Sequence, residues 1–183
     1  MDSTDIRDLL ARAMDSRRAD RRDDARRDFA SAVDLARAHP PSVEFVAALR
    51  GLAQIERDSG RPEPAVPLYE EAVTACRALT HDLMLAHTVR HLGDVLQDLG
   101  SIERAEPCYL EALSLYERHA AAPTLDVANT IRPLAILRET QGDTAEASLL
   151  WAKALRLYAE CNVPAGVEEC ERRLRNLAGE REH

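Results

Sequence analysis

Apolar positions along the chain fall into a short motif that recurs, Ala-x-x-x-aromatic-x-x-Ala. It occurs at Ala25, Phe29 and Ala32; at Ala65, Tyr69 and Ala72; at Ala105, Tyr109 and Ala112; and at Ala147, Trp151 and Ala154. The first alanines stand 40, 40 and 42 residues apart. Spacing of i, i+4 and i+7 puts all three side chains on one stripe of an α-helix. Alanine lets helix backbones approach closely, and the aromatic ring fills the space left between neighbours. A second motif precedes the last three copies: Leu49-x-x-Leu52-Ala53, Val89-x-x-Leu92-Gly93 and Ile131-x-x-Leu134-Ala135. Between the two motifs stand Gly60, Gly100 and Gly142, five residues ahead of the alanine. A glycine there can take the positive φ that ends one helix before the next begins.

The pattern predicts four antiparallel helix pairs, over residues 4–39, 42–79, 82–119 and 124–161, closed by an amphipathic helix over 164–178. Within the pairs the helices are expected at Thr4–Arg18 and Arg21–His39, Ser42–Ser59 and Pro62–Leu79, Asp82–Leu99 and Ile102–His119, and Thr124–Gln141 and Thr144–Cys161. Pro62, Pro67 and Pro107 are expected near helix starts, where a missing amide donor costs least. The first pair departs from the rest: Asp20 replaces the turn glycine, and Arg12 stands where the others have leucine. In the last helix Val167, Cys170, Leu174 and Leu177 share one face and charged residues the other, as a solenoid cap requires.

Composition narrows the function. A chain of 183 residues suits one domain, and its net charge of −8 argues against a binder of duplex DNA or of anionic membranes. No apolar run reaches the ~20 residues of a membrane span. The opening Met1-Asp2-Ser3-Thr4-Asp5 lacks the basic and apolar regions of a signal peptide. Cys76, Cys108, Cys161 and Cys170 form no C-x-x-C pair, so buried thiols in a reducing cytoplasm are expected, with a Cys161–Cys170 disulfide as the alternative. Basic charge comes almost wholly from arginine, Lys153 being the one lysine. With the many alanines this composition points to a GC-rich, bacterial source.

These motifs resemble the tetratricopeptide repeat (TPR), and the 40–42-residue spacing resembles the longer-helix variety of kinesin light chain. Thr124-Leu125-Asp126-Val127-Ala128 leading into Ile131-Arg132-Pro133-Leu134-Ala135 is similar to that variety, as is Arg104-Ala105-Glu106-Pro107-Cys108-Tyr109. The resemblance implies an all-α, right-handed α-solenoid of four TPR-type pairs and a cap, in one domain spanning 1–183. It also implies a concave groove, lined by the first helix of each pair, that receives peptides. By register the groove candidates are Ala47, Arg50, Gln54 and Arg57; His87, Arg90, Asp94 and Gln97; Asn129, Arg132, Ile136 and Glu139; and Arg7, Leu10, Met14 and Arg17.

Arg50, Arg90 and Arg132 hold equivalent places, where kinesin light chain repeats usually have asparagine. Three stacked guanidinium groups would suit a carboxylate-bearing partner. Ordinary solvated or interhelical arginines are the alternative: Arg90 has Asp94 at i+4, while Arg50 and Arg132 have Gln54 and Ile136 there. The lysine and paired asparagines of the chaperone-tail carboxylate clamp are missing. His87 and His91 stand i, i+4, a spacing that can ligate zinc, but no third ligand accompanies them and no metal is expected. The arginine run of residues 17–27 is interleaved with Asp15, Asp20, Asp23, Asp24 and Asp28, which reads as a salt-bridged helix face.

No phosphate-cradling loop, nucleophile elbow or paired catalytic carboxylates occur, so neither an enzyme nor a cofactor is expected. The expected function is a cytoplasmic adaptor or regulator that binds an acidic peptide segment of a partner in the groove. The alternative is a structural self-assembly module forming homo-oligomers. A sensor unit of a larger signalling family is a third reading, resting on fold analogy.

Overall fold

The computed structural model describes residues 3–179, and Met1 and Asp2 of the opening segment lie outside the described residues. Nine helices and no strand occur among the described residues: α1 (Ser3–Arg18), α2 (Arg22–Arg37), α3 (Val43–Asp58), α4 (Pro62–Ala78), α5 (Asp82–Asp98), α6 (Ile102–Glu117), α7 (Thr124–Thr140), α8 (Thr144–Glu160) and α9 (Pro164–Gly179). The fold is an all-α solenoid of paired helices with a terminal capping helix. Each boundary falls within two residues of the one expected from sequence.

Local chemistry explains where the helices begin and end. Ser42 caps α3, its hydroxyl accepting from the Phe45 amide at 3.1 Å, and the Asp143 carboxylate caps α8 through the Glu146 amide at 3.0 Å. Gly60, Gly100 and Gly142 all take positive φ, between 71° and 78°. At each turn two hydrogen bonds close the preceding helix: Gly60 N–H to Arg57 O with Arg61 N–H to Glu56 O, and the same pair at Gly100 and Gly142. Asp20 adopts φ 53°, and the same two bonds form there, Asp20 N–H to Arg17 O and Arg21 N–H to Ser16 O, so it does the glycine's work at a steric cost. Thr80 (φ 51°) and Asn162 (φ 54°) also turn left-handed, between repeats, where no glycine marks the site.

Pro67 and Pro107 lie inside α4 and α6, a turn deeper than expected, and Pro133 lies mid-way along α7. Each forgoes one intrahelical hydrogen bond while the helix runs on through it.

The chain forms two compact units, Met1–Ser101 and Ile102–His183. In the first, Phe29, Leu49, Ile55, Tyr69, Val89 and Leu96 are buried among the alanines of the repeat motif. Arg12, at the aberrant leucine position, stays exposed on α1 and bonds Asp28 of α2. In the second unit Ile131, Trp151, Tyr158 and small residues form a core that Cys170 and Leu177 of α9 complete. Two helical glycines allow close approach: a Cβ on Gly51 would overlap the Phe29 ring, and one on Gly166 the Tyr158 ring. The four cysteines stand as thiols. Among the described residues no helix is long and apolar enough to cross a membrane.

Candidate functional site

In the first unit, helices α1, α3 and α5 turn one face toward a pocket of about 270 Å³. Met14 and Arg17 come from α1, Ala47, Arg50, Gly51 and Gln54 from α3, and His87 and His91 from α5, over Phe29 and Tyr69 of α2 and α4. Helical register produces this grouping, because residues one turn apart on each first helix point the same way. Of the residues expected in a groove, Met14, Arg17, Ala47, Arg50, Gln54 and His87 meet here. Phe29 and Tyr69 were expected only as packing residues, and Gly51 was not singled out by the sequence. A glycine on α3 lets that helix pack directly on the Phe29 ring, which places both beneath the pocket.

The lining holds two arginines and two histidines and no carboxylate. Gln54 accepts from the Tyr69 hydroxyl at 3.2 Å, and burial pushes the phenol up to about 12, so Tyr69 stays neutral. Arg17 sits at the rim, with its guanidinium 3.6 Å from Asp58.

Beside the pocket a denser network orders α5 against α3. The Arg90 guanidinium, buried, donates to Asp94 Oδ2 at 2.9 Å and to His91 Nε2 at 2.7 Å. Arg57 spans from α3 to Asp98 at 2.5 Å and approaches Asp94 at 3.7 Å. Burial works to raise the Asp94 pKa, but contact with His91 and the charges of Arg90 and Arg57 outweigh it and hold the carboxyl below its ordinary range. His91 Nδ1 lies 3.3 Å from Asp94 Oδ2, angled away from a good hydrogen bond, and its ring stacks on Tyr69 with centroids 5.9 Å apart. Burial drives the His91 pKa down to about 4. His87 and His91 approach edge to face, Nε2 to Nε2, at 3.2 Å. No group of three His, Cys, Asp or Glu side chains suited to a metal occurs among the described residues.

The second unit uses its expected groove residues differently. Arg132 makes a two-pronged bond to Glu169 of α9, at 2.7 and 2.9 Å. That bond draws the Glu169 pKa down and the Arg132 pKa up, in each case against burial. Asn129 accepts from the Tyr158 hydroxyl at 2.9 Å, and Glu139 accepts from Arg173 at 3.1 Å. Arg173 also lies over the Trp151 ring, 5.6 Å from its centroid. An acid partner for Arg132 therefore exists, 37 residues away on the capping helix rather than at i+4.

Family comparison agrees with this architecture. Two family models, both described as tetratricopeptide repeat, match residues 46–80 and 83–160. No curated protein matches the chain. Similar folds occur in several crystal structures. BtubC (BKLC) from P. vanneervenii is 18% identical, with 93% of this chain and 78% of that one covered and a TM-score of 0.68. A protein of Podosopora anserina, named there as a kinesin light chain with nearly identical TPR-like repeats, is 14% identical, with both chains covered in full and a TM-score of 0.70. A variant of the same protein gives 14% identity, 100% and 91% coverage, and a TM-score of 0.77. At these identities the likeness is one of fold.

Proposed function

The chain belongs to the tetratricopeptide repeat family, and from that premise we propose that it docks an acidic segment of a partner protein in the pocket between α1, α3 and α5, with Arg50 as the main anchor. Repeats of this family serve protein–protein interaction or assembly. One observation carries the finer reading: in a chain of net charge −8, the pocket is lined by Arg17, Arg50, His87 and His91 with no acid among them. Such a site attracts carboxylate locally, and the guanidinium fork binds it with two parallel hydrogen bonds. Met14 and Ala47 supply apolar lining for the flanking side chain.

The remaining candidates take supporting roles in this reading. Arg57, Arg90 and Asp94 brace α5 against α3, while Arg132 and Asn129 hold the second unit together. Of the three equivalent arginines only Arg50 lines the pocket, and in this reading it is the anchor rather than one rung of a ladder.

A peptide array of graded acidity, read with wild type and with Arg50→Glu, tests the proposal. Acidic peptides should bind wild type and lose at least tenfold in affinity on Arg50→Glu, with Arg132→Glu close to wild type. Equal binding by wild type and Arg50→Glu would remove the pocket assignment. A mass that rises with concentration in light scattering, together with no peptide bound, would favour self-assembly instead.

A further inference from the structure

Two leucines of the second unit stand in water at places where the repeat does not require them. Leu149 of α8 is 73% exposed and Leu110 of α6 is 47% exposed. The place of Leu110, one residue past the motif aromatic, holds Glu70 in α4, and the place of Leu149, two before the aromatic, holds Arg27 in α2. Helices α6 and α8 are the second members of successive pairs, so they run the same way, and Lys153 Nζ meets Glu117 Oε1 between them at 3.2 Å. Single surface leucines are ordinary, but two on adjoining helices form a patch of the kind that another surface covers.

The residues around the leucines say what covers it. On α6 the exposed positions seven and three before Leu110 and four after it are Glu103, Pro107 and Ser114. On α8 the exposed positions seven and three after Leu149 and four before it are Arg156, Ala152 and Ala145. One series is the other reversed, and at these spacings each lies along a single helix face. Laid antiparallel with Leu110 on Leu149, the two faces therefore match layer by layer: Glu103 meets Arg156, Pro107 meets Ala152 and Ser114 meets Ala145. The small residues beside the leucines let the helices approach. Neither Glu103 nor Arg156 makes an ion pair among the described residues of its own chain. We propose that the chain dimerises through this face, α6 of each copy packing antiparallel on α8 of the other, with Leu110 against Leu149 and Glu103 against Arg156. A two-fold axis makes both contacts twice, as closed symmetry requires. The face lies wholly in the second unit and uses none of the pocket residues, so it stands apart from the peptide reading.

Sedimentation equilibrium of the full chain, from about 1 µM to about 300 µM in low and high salt, is the test. The mass should rise from 20.3 kDa toward twice that value, less steeply in high salt. Leu149→Asp should weaken association about tenfold or more while leaving helical ellipticity unchanged, because the side chain it replaces is exposed. Glu103→Arg and Arg156→Glu should each weaken it too, since either one sets two like-charge contacts into the dimer. Mixed in equal amounts, these two variants should regain association, because a hybrid dimer restores both contacts between opposite charges. If Leu149→Asp folds poorly, the mixture decides by itself. A chain that stays monomeric at every concentration overturns the proposal and leaves the leucines to a different partner. Association unchanged in a folded Leu149→Asp overturns the face. A mixture no stronger than either variant alone overturns the antiparallel pairing.

Discussion

Gly51 and His91, one on each side of the same pocket, govern stability through quite different physics. At Gly51 the controlling fact is space: α3 passes so close to Phe29 that an added methyl would overlap its ring. Alanine ordinarily favours a helix over glycine by about 1 kcal/mol. Overlap in a packed site costs about 1–3 kcal/mol, so Gly51→Ala should be destabilising on balance. Gly60 is the converse case, with open space around its Cα and φ at 74°, so Gly60→Ala should cost about 1 kcal/mol from backbone strain alone. Urea unfolding followed by circular dichroism compares the two. A Gly51→Ala protein as stable as wild type would show that Phe29 can yield. His91 acts through protons. Its pKa is depressed from 6.5 to about 4 in the folded chain, so above pH 6.5 its contribution is complete, and it is lost as the pH falls toward 4. The unfolded chain binds the extra proton in that window, which weakens the fold by up to about 3 kcal/mol. Replacing it as His91→Gln should flatten the loss of stability between pH 7 and 5, measured by urea unfolding at each pH.

At the scale of helices, α9 shows what a cap contributes. Cys170 and Leu177 close the core around Trp151, while Glu169 binds Arg132 and Arg173 covers the Trp151 ring. Reversing one charge as Arg132→Glu would set two carboxylates face to face. Because Arg132 is partly exposed, the loss should be modest, about 1 kcal/mol, seen as faster amide exchange in α9 with peptide binding in the first unit unchanged. Loss of peptide binding instead would return Arg132 to the site. The contrast between Arg132 and the helix boundaries shows what one-dimensional pattern conveys. Helix ends are local: Gly60, Ser42 and Asp143 act within a few residues of themselves, and even Asp20 was recognisable in the glycine's place. Thr80 was not, since nothing in a threonine announces positive φ. Pairing is tertiary. Glu169 reaches Arg132 across 37 residues, and buried Glu56 of α3 binds Arg26 of α2 at 2.6 Å, partners that depend on how adjacent helices rotate about their axes. The repeat register brought Arg50, Gln54 and His87 to one pocket. It could not tell a guanidinium facing that pocket from one bound to a neighbour's carboxylate.

The whole molecule is a chain of near-neighbour contacts, and such chains lose stability where they are struck. Two compact units, with a boundary after Ser101 in the middle of the third repeat, sharpen that expectation. The chain holds one tryptophan, Trp151, fully buried in the second unit, so its fluorescence reports on that unit by itself. Helical ellipticity reports on both. In Gly51→Ala the damage lies wholly in the first unit, so the urea midpoint by ellipticity should fall and broaden while the Trp151 midpoint stays near its wild-type value. Arg132→Glu should do the reverse, moving the Trp151 transition first. Coincident transitions in both variants would mean that the two units unfold as one cooperative body, and the contacts within each would no longer set the unit of stability. If the transitions separate, a change in the second unit can loosen its own core without disturbing the pocket. Binding through Arg50 and stability through Arg132 would then be independent properties of one solenoid, and mutations affecting them should add.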